Sequence, residues 1–284
     1  MQKWNLIIDV GECTNCNVCT LATQDEYVGN EWPGIAAEMP KHGHRWIDIK
    51  RKERGQPPLV DVAYMPVMCQ HCDDAPCIKA AENGAVTKRG DGIVIIDPEK
   101  AQGQRQIMEA CPYGAVFWNE EKDIPQAWPF DAHLLDAGWA EPRAATACPT
   151  GAFRAIKVED AEMQRIRADE GLQELDPGAA TKPRVLYKNL HRFTKCFVAA
   201  SIAATVDDKE ECIQGAAVVL LKGGTEIGRT ETDAFGDFRI DRLDPGSGGH
   251  VLKIEKEGFA AKTVEFELGD SITLGTITLT ASSA

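Results

Sequence analysis

The sequence predicts an α+β chain in two parts: a cysteine-rich N-terminal domain of short strands and helices, then an all-β sandwich. Eight of the ten cysteines form two triplets and two lone Cys-Pro pairs. A short helical segment, a Cys-Pro and a strand-like run that begins near Gly-Ala occur twice, around CPYGAV and CPTGAF. From about residue 212, strand-like runs alternate with Gly, Asp and Pro turns. These three observations support the two-part organisation.

Length, composition and charge exclude several classes of protein. The chain has 284 residues and is 43% hydrophobic, which is enough for two separate cores. It has no apolar run of about 18 residues, so no membrane anchor is expected. The start, MQKWNLIIDVGEC, shows no export signal, which predicts a cytoplasmic protein. A net charge of −13 argues against a nucleic-acid partner, because phosphates require a basic face.

The first domain is assigned to residues 1–180. Strands are expected at residues 3–10, 45–50, 92–98, 113–118 and 151–157, and helices at 99–110 and 159–173. Each Cys-Pro stands between a short helix and a strand, and this repeat is the one found in bacterial ferredoxins. A double ferredoxin-like domain is therefore expected.

The second part of the chain is expected to contain only strands. Residues 174–183 look like a linker, and residues 181–211 are predicted to be a connecting segment packed on the first domain. The sandwich is assigned to residues 212–284, with the strand-like runs VVLLK, TEIGRTET, GDFRID, HVLKIEK, KTVEFEL and ITLGTITL. Their spacing of about ten residues is typical of a small sandwich. Phe235 and Gly236 are expected in a hairpin turn.

The cysteine spacing predicts iron–sulfur chemistry. CTNCNVC is a C-x2-C-x2-C run, and CQHCDDAPC is a C-x2-C-x4-C run. Three closely spaced thiolates and a distant Cys-Pro are how a [4Fe–4S] cluster is held. Zinc is the competing metal, but it usually takes its ligands as two pairs. Disulfides are the other alternative and would require an oxidising compartment.

Two [4Fe–4S] clusters are therefore expected, which indicates a protein that handles electrons. In two-cluster ferredoxin folds, the Cys-Pro of one motif completes the cluster that the other motif begins. The first ligand set is expected to be Cys13, Cys16, Cys19 and Cys148, and the second Cys69, Cys72, Cys77 and Cys111.

This layout resembles the iron–sulfur subunits of the molybdopterin oxidoreductase superfamily, of the dimethyl sulfoxide reductase type. Those subunits usually hold four clusters, and here two complete sets of four cysteine positions carry other residues. We call them the Thr23 set (Thr23, Trp128, Asp131 and Ala144) and the Ala81 set (Ala81, Ala101, Gln104 and Ile107). Because all four positions of each set lack cysteine, the pattern supports a count of two clusters. Trp128 is expected to fill the volume of an absent cluster.

A closer resemblance is carried by NEWPG, HRWIDIKRKERG, CPYGAVFWNEE, AHLLD and KPRVLYKNLHRF. These segments are similar to small subunits of the pyrogallol–phloroglucinol transhydroxylase and resorcinol hydroxylase type. The resemblance implies an electron-transfer subunit of an enzyme that acts on phenolic aromatics. It also implies a large catalytic partner with molybdenum or tungsten on two pyranopterin guanine dinucleotides. No catalytic residue is expected in this chain.

The chain departs from that family, whose small subunit has three clusters, because the Thr23 set has no thiolates. In the superfamily this site lies between the other two, so we expect the two remaining clusters to be an inefficient electron chain. Two alternatives stay open: an assembly subunit whose clusters do not change redox state, and a free-standing two-cluster ferredoxin.

The C-terminal strands resemble the carboxypeptidase-regulatory-like or transthyretin-like sandwich, which implies docking or assembly more than catalysis. Several other residues are expected to have ordinary structural roles. Cys196 and Cys212 are expected to be free thiols. His42, His44, His71 and His133 are expected to be neither ligands nor catalytic groups, and backbone amides around His71 are expected to donate to sulfur.

Overall fold

A computed structural model describes residues 1–206 and 209–282. The chain divides into two units. The first consists of Met1–Arg51 with Tyr64–Leu190, and the second consists of Lys52–Ala63 with His191–Ala284.

Up to Leu190, the helices and strands are short. In chain order they are β1 (Lys3–Asp9), α1 (Val18–Tyr27), β2 (Asp48–Gln56), β3 (Leu59–Val67), α2 (Pro76–Ala80), β4 (Val86–Lys88), β5 (Val94–Ile96), α3 (Gln106–Glu109), β6 (Phe117–Asn119), β7 (Ile124–Gln126), α4 (Ala132–Asp136), α5 (Arg143–Thr146), β8 (Phe153–Val158), α6 (Asp160–Glu170), a 3-10 turn at Pro177–Ala179 and β9 (Val185–Lys188). Strands β2 and β3 pair with each other, as do β4 with β5 and β6 with β7.

The first unit is organised around the three-stranded sheet β8-β1-β9. Strand β1 pairs antiparallel with β8, with Ile8 opposite Phe153, and parallel with β9. It is buried along nearly its whole length, as expected for the apolar run NLII at the centre of a sheet. Met163 of α6 and Leu172 pack on Ile7 and cover one face of the sheet. This sheet brings the loop after β1 close to the segment before β8.

The repeated unit of helix, Cys-Pro and strand is present, with shorter elements than the sequence predicts. Helix α3 precedes Cys111 and helix α5 precedes Cys148. The predicted helix 99–110 is confined to Gln106–Glu109, because Gly103 has φ +74° and interrupts the helical backbone. The predicted strand 113–118 starts later, at Phe117, after Gly114 with φ +60°. The long predicted helix 159–173 ends at Glu170, where Gly171 takes the left-handed C-terminal position.

The second unit is a β-sandwich. It contains α7 (His191–Thr194), β10 (Cys196–Val206), β11 (Lys209–Cys212), β12 (Ala217–Lys222), β13 (Thr225–Glu231), β14 (Asp237–Leu243), β15 (Gly248–Glu255), β16 (Lys262–Leu268) and β17 (Ile272–Leu279). One sheet has the order β13-β12-β15-β16. In the second sheet, β10 pairs with β11 and β14 along one of its edges. Along its opposite edge, β10 pairs in parallel with β17. Leu220, Leu252 and Ile202 lie in the core between the sheets.

The unit boundaries differ from the predicted segments 1–180, 181–211 and 212–284. The predicted connecting segment is divided, because β9 joins the sheet of the first unit while β10 belongs to the second. The run CFVAASIAA in β10 is apolar on both faces, so it occupies the middle of a sheet and not a linker. The tip of the β2–β3 hairpin, Lys52–Ala63, also belongs to the second unit.

The expected hairpin turn at Phe235 and Gly236 is a tight turn, but it connects two different sheets. Strand β13 before it pairs with β12, whereas β14 after it pairs with β10. Asp233 closes the turn, since its backbone N–H donates to Asp237 O at 2.9 Å. Gly236 has φ +77°, and a Cβ there would lie 2.4 Å from Ile202 O, so the position requires glycine.

Candidate metal centres

The first group of cysteines comes together at one end of the β8-β1-β9 sheet. Cys13 and Cys16 lie in the loop after β1, Cys19 lies in α1, and Cys148 lies between α5 and β8. The pairing of β1 with β8 and the packing of α1 on α5 bring these segments together. The thiol of Cys13 interacts electrostatically with those of Cys16 and Cys148, and Cys19 interacts with Cys13 and Cys148.

The second group forms independently from the loop after β3, helix α2 and the segment after α3. The thiol of Cys69 interacts with those of Cys72, Cys77 and Cys111, and Cys77 interacts with Cys111 and Cys72. Packing of α2 on α3 brings Cys77 and Cys111 together. The structure therefore groups the thiols three plus one, in the two combinations expected from the cross-ligation of ferredoxin folds, and their role as cluster ligands stays a prediction.

Backbone groups around the thiols point toward sulfur. Asn15, Asn17 and His71 have positive φ angles, a feature of loops whose backbone amides form anion-binding nests. Cys13 accepts a backbone hydrogen bond at Asn15, Cys19 at Thr20 and Cys69 at His71. Hydrogen bonds of this kind stabilise sulfur-borne negative charge and tune cluster potentials.

Of these eight thiols, Cys19 and Cys72 are buried, Cys16 is exposed and the other five are partly buried. Burial raises the pKa of Cys19 to about 11 and the pKa of Cys77 to about 12, and neighbouring thiols contribute further. Burial alone would raise the pKa of Cys148. Hydrogen bonds from the Thr150 hydroxyl and from nearby backbone amides outweigh this effect, so the pKa lies below its ordinary value. Bound iron supplies the positive charge that deprotonates such thiols.

The donor set fits an iron–sulfur cluster better than a single ion. Within residues 1–206 and 209–282, no three His, Cys, Asp or Glu side chains are arranged around a single metal ion. A [4Fe–4S] cluster has its four ligand sulfurs on separate irons, farther apart than the ligands of one zinc. Each group supplies four thiols and inward-facing backbone donors, as such a cluster requires.

Lys88 anchors the loop of the second group, and the sequence offers no signal for this role. Its ammonium donates to the carbonyl oxygens of His71 at 2.8 Å and Cys72 at 2.9 Å, and it pairs with Asp73 at 2.9 Å. Arg184 donates to the other side of the same carboxylate. With a further hydrogen bond to Gly92 O at 3.0 Å, this partly buried lysine makes four contacts that hold the Cys69–Cys72 backbone in place.

His71 is a fixed neutral side chain. It is buried, and burial lowers its pKa to about 3. The Val94 backbone N–H donates to Nδ1 at 3.1 Å, and Nδ1 lies 3.9 Å from Cys69 Sγ. Its ring packs edge-on against Trp128 and Phe130, with centroid distances of 6.0 and 5.2 Å.

The Thr23 set is a buried and hydrogen-bonded cluster of side chains. All four residues are 3% exposed or less. Trp128 Nε1 donates to Asp131 Oδ1 at 2.9 Å, and the Arg143 N–H, beside Ala144, donates to Oδ2 at 2.8 Å. The Thr23 hydroxyl donates to Cys19 O at 2.9 Å. The expectation that Trp128 is a filling residue agrees with its complete burial, and Asp131 adds a polar centre that the sequence does not predict.

The Ala81 set is apolar and differs in character. Ala101 and Ile107 are fully buried in a small core that also contains Val86, with Ala81 packed against it. Gln104 closes this core by accepting the Glu82 N–H at 2.8 Å and donating to Lys100 O at 2.7 Å. Protein side chains occupy both sets, so neither offers thiolate ligands.

Three of the remaining sequence candidates, Cys196, His44 and His133, have structural partners. Cys196 is buried and donates to Leu243 O at 3.4 Å, whereas Cys212 is exposed on β11. His44 Nε2 bonds to Trp118 O, and His133 bonds to Glu26 and stacks on Trp32.

In the described part of the chain, no helix is long and apolar enough to cross a membrane.

Comparison with known proteins agrees with this organisation. Residues 60–158 match the family described as 4Fe-4S dicluster domain, a span that starts after the first triplet of cysteines. Residues 201–280 match the carboxypeptidase regulatory-like domain. The predicted fold class, iron–sulfur domain first and β-sandwich second, is therefore confirmed.

One relative matches nearly the whole chain, and others match the iron–sulfur part. The pyrogallol hydroxytransferase small subunit of Pelobacter acidigallici is 43% identical over 282 residues, which are 98% of this chain and all of that protein. The arsenate respiratory reductase iron–sulfur subunit of a Shewanella species is 30% identical over half of this chain and 55% of its own length. The thiosulfate reductase electron transfer subunit of Salmonella typhi is 26% identical over 58% of this chain and 81% of its own length.

Proposed function

Because the chain belongs to the family of the pyrogallol hydroxytransferase small subunit, we propose that it is the iron–sulfur electron-transfer subunit of a molybdopterin enzyme. The observation that carries the proposal is the assembly of eight thiols into two separate groups of four. Two such groups on one small domain provide two one-electron carriers.

The proposed ligands are Cys13, Cys16, Cys19 and Cys148 for one [4Fe–4S] cluster and Cys69, Cys72, Cys77 and Cys111 for the other. Each cluster supplies reversible one-electron chemistry when bound. The chain's own residues bring the thiols together and donate backbone hydrogen bonds to sulfur. Lys88 fixes the second loop, and the β1–β8 pairing fixes the first.

Catalysis is assigned to a large partner subunit, and no catalytic residue is assigned to this chain. The partner would hold molybdenum or tungsten on two pyranopterin guanine dinucleotides and bind a phenolic aromatic such as a di- or trihydroxybenzene. The name of the Pelobacter relative supports hydroxyl transfer on pyrogallol. Eight ligand thiols kept reduced fit a cytoplasmic complex. The β-sandwich is proposed to serve in assembly.

Metal analysis and cysteine variants of the purified complex test this proposal. The chain is expected to carry about eight irons, four for each cluster. Cys13→Ser and Cys148→Ser should abolish the same electron paramagnetic resonance signal, and Cys69→Ser and Cys111→Ser should abolish the other. Cys212→Ser, at an exposed thiol, is the matched control. Loss of one signal by variants from both groups would contradict the ligand assignment.

Two further measurements separate the alternatives. Co-purification with a larger chain that contains the pterin and molybdenum or tungsten supports the partner, and isolation of this chain alone would favour a free-standing ferredoxin. Freeze-quenched samples taken during turnover should show partly reduced clusters. Clusters that stay in one redox state throughout turnover would favour a purely structural subunit.

A further inference from the structure

Asp131 is a buried carboxylate in the place where the superfamily pattern has a cluster ligand. Asp131 is 2% exposed, and its backbone φ is +52°. Building on the proposed function, we propose that Asp131 is an uncompensated buried anion that lowers the reduction potentials of the neighbouring iron–sulfur clusters and takes up a proton when they are reduced.

The hydrogen bonds around Asp131 favour its ionised form. Trp128 Nε1 and Tyr27 Oη both donate to Oδ1, each at 2.9 Å, and the Arg143 backbone N–H donates to Oδ2 at 2.8 Å. An indole N–H and a backbone N–H can only donate, so the carboxylate must accept from both. Three donors on one carboxylate stabilise its charged form.

No cation balances this charge by direct contact in the described part of the chain. The cations nearby belong to another carboxylate, because Arg143 Nη1 pairs with Glu26 at 2.6 Å and His133 Nε2 bonds to Glu26 at 2.7 Å. Among the described residues, the titratable and charged groups around Asp131 are Tyr27 and Glu26 on α1, His133 on α4 and Arg143 on α5. Glu26 is compensated and Asp131 is not.

Two chains of contacts connect Asp131 to the two thiol groups. Cys19, Thr23 and Tyr27 are spaced by four residues along α1, so they share one buried face of the helix. Tyr27 reaches Asp131 from that face. On the other side, Trp128 packs edge-on against His71 in the Cys69–Cys72 loop. Asp131 thus lies one side-chain layer from the elements that carry each thiol group.

A buried charge at this place acts on both centres, because burial weakens screening by salt and water. A fixed negative charge disfavours the addition of an electron nearby and lowers the reduction potential. The coupling is reciprocal, so an added electron favours protonation of Asp131. Burial raises the pKa of Asp131 and outweighs the opposing effect of its hydrogen bonds, which favours this proton uptake. Tyr27 is the one direct partner that can rotate to accept the new O–H.

The test is a potentiometric titration of the purified complex at several pH values, followed by electron paramagnetic resonance. The wild-type potentials should rise as pH falls. Asp131→Asn keeps the side-chain volume and removes the charge, so at least one potential should rise and lose its pH dependence. Tyr27→Phe removes a charge-assisted donor, so the pH dependence should persist with its midpoint moved to higher pH. Glu26→Gln is the matched control, because it removes a carboxylate that is already compensated.

The outcomes distinguish this inference from the proposed function. A complex without iron in this chain contradicts the proposed function itself. Intact clusters whose potentials do not change in Asp131→Asn, or change equally in Glu26→Gln, overturn the role of Asp131. Potentials that are independent of pH in the wild-type complex overturn the proton uptake. Iron content and thermal midpoints of each variant show whether a shift comes from lost structure.

Discussion

The indole Nε1 of Trp128 donates a 2.9 Å hydrogen bond to Oδ1 of Asp131. In the superfamily pattern both positions would hold cysteine ligands of one cluster. Here the large indole supplies volume and the carboxylate collects the donors that line the site.

Replacement of Trp128 by alanine should destabilise the first unit strongly. The side chain is fully buried, and its loss leaves a cavity and deprives Asp131 of a donor. We expect a cost of about 3–5 kcal/mol in the free energy of unfolding. Denaturant unfolding of the full chain, followed by tryptophan fluorescence, measures it. Trp139→Ala, at a residue 44% exposed, is the control. Equal costs for the two variants would show that Trp128 does not fill the site.

Lys88→Met should release iron from the second thiol group and spare the first. Methionine keeps most of the side-chain length but cannot donate to the carbonyl oxygens of His71 and Cys72. We expect an iron content that falls toward half, with loss of the signal that Cys111→Ser also removes. Lys79→Met changes an exposed lysine on the adjacent helix and should retain full iron. Unchanged iron in Lys88→Met would show that the loop holds its shape without the ammonium.

Acid should loosen the second unit through Asp61. Arg54, which is fully buried, Arg192 and Arg239 all contact this carboxylate at 3.0–3.2 Å. Burial alone would raise the pKa of Asp61, but the arginines outweigh it and the pKa lies below its ordinary value of 3.8. A lowered folded-state pKa stabilises the protein above the unfolded-state pKa, and this stabilisation is lost as pH falls through the folded-state value.

Amide hydrogen exchange in β10 and β14 checks this pH dependence in the full chain. Protection should decrease as the pH falls below about 4. Asp61→Asn should already show reduced protection at neutral pH, by on the order of 3 kcal/mol, with a weaker further response to acid. Asp244→Asn removes an exposed carboxylate and should leave the exchange unchanged. The idea fails if Asp61→Asn exchanges like the wild type at neutral pH.

Gly236→Ala should destabilise the sandwich more than Gly246→Ala. Both glycines have positive φ, at +77° and +66°, so alanine costs about 1–2 kcal/mol at either position. At Gly236 the new Cβ would also lie 2.4 Å from Ile202 O, whereas nothing lies within 4 Å at Gly246. Exchange protection of β10 and β14 should therefore fall further in Gly236→Ala. Equal losses would indicate that the turn moves to make room.

The prediction of the two thiol groups rested mostly on the positions of the cysteines along the chain. Cysteines separated by two residues must share a loop, and the cross-ligation of two-cluster ferredoxin folds assigns one Cys-Pro to each triplet, so the two groups of four could be anticipated from the chain. The strand runs after residue 212 were equally readable, because alternation and turn residues are local signals. The exact lengths of α3 and β6 were not, because positive-φ glycines shortened both.

The sequence by itself predicted the ligand types, their spacing and the positions without thiolates. Only the tertiary structure decided what became of those sites, since burial and hydrogen bonds join residues far apart in the chain: Tyr27, Trp128, Asp131 and Arg143 meet across α1 and α5. The same reason explains Lys88 and the placement of β10. The sequence shows which side chains can carry a charge. Whether an opposite charge compensates it depends on contacts that form only when the chain folds.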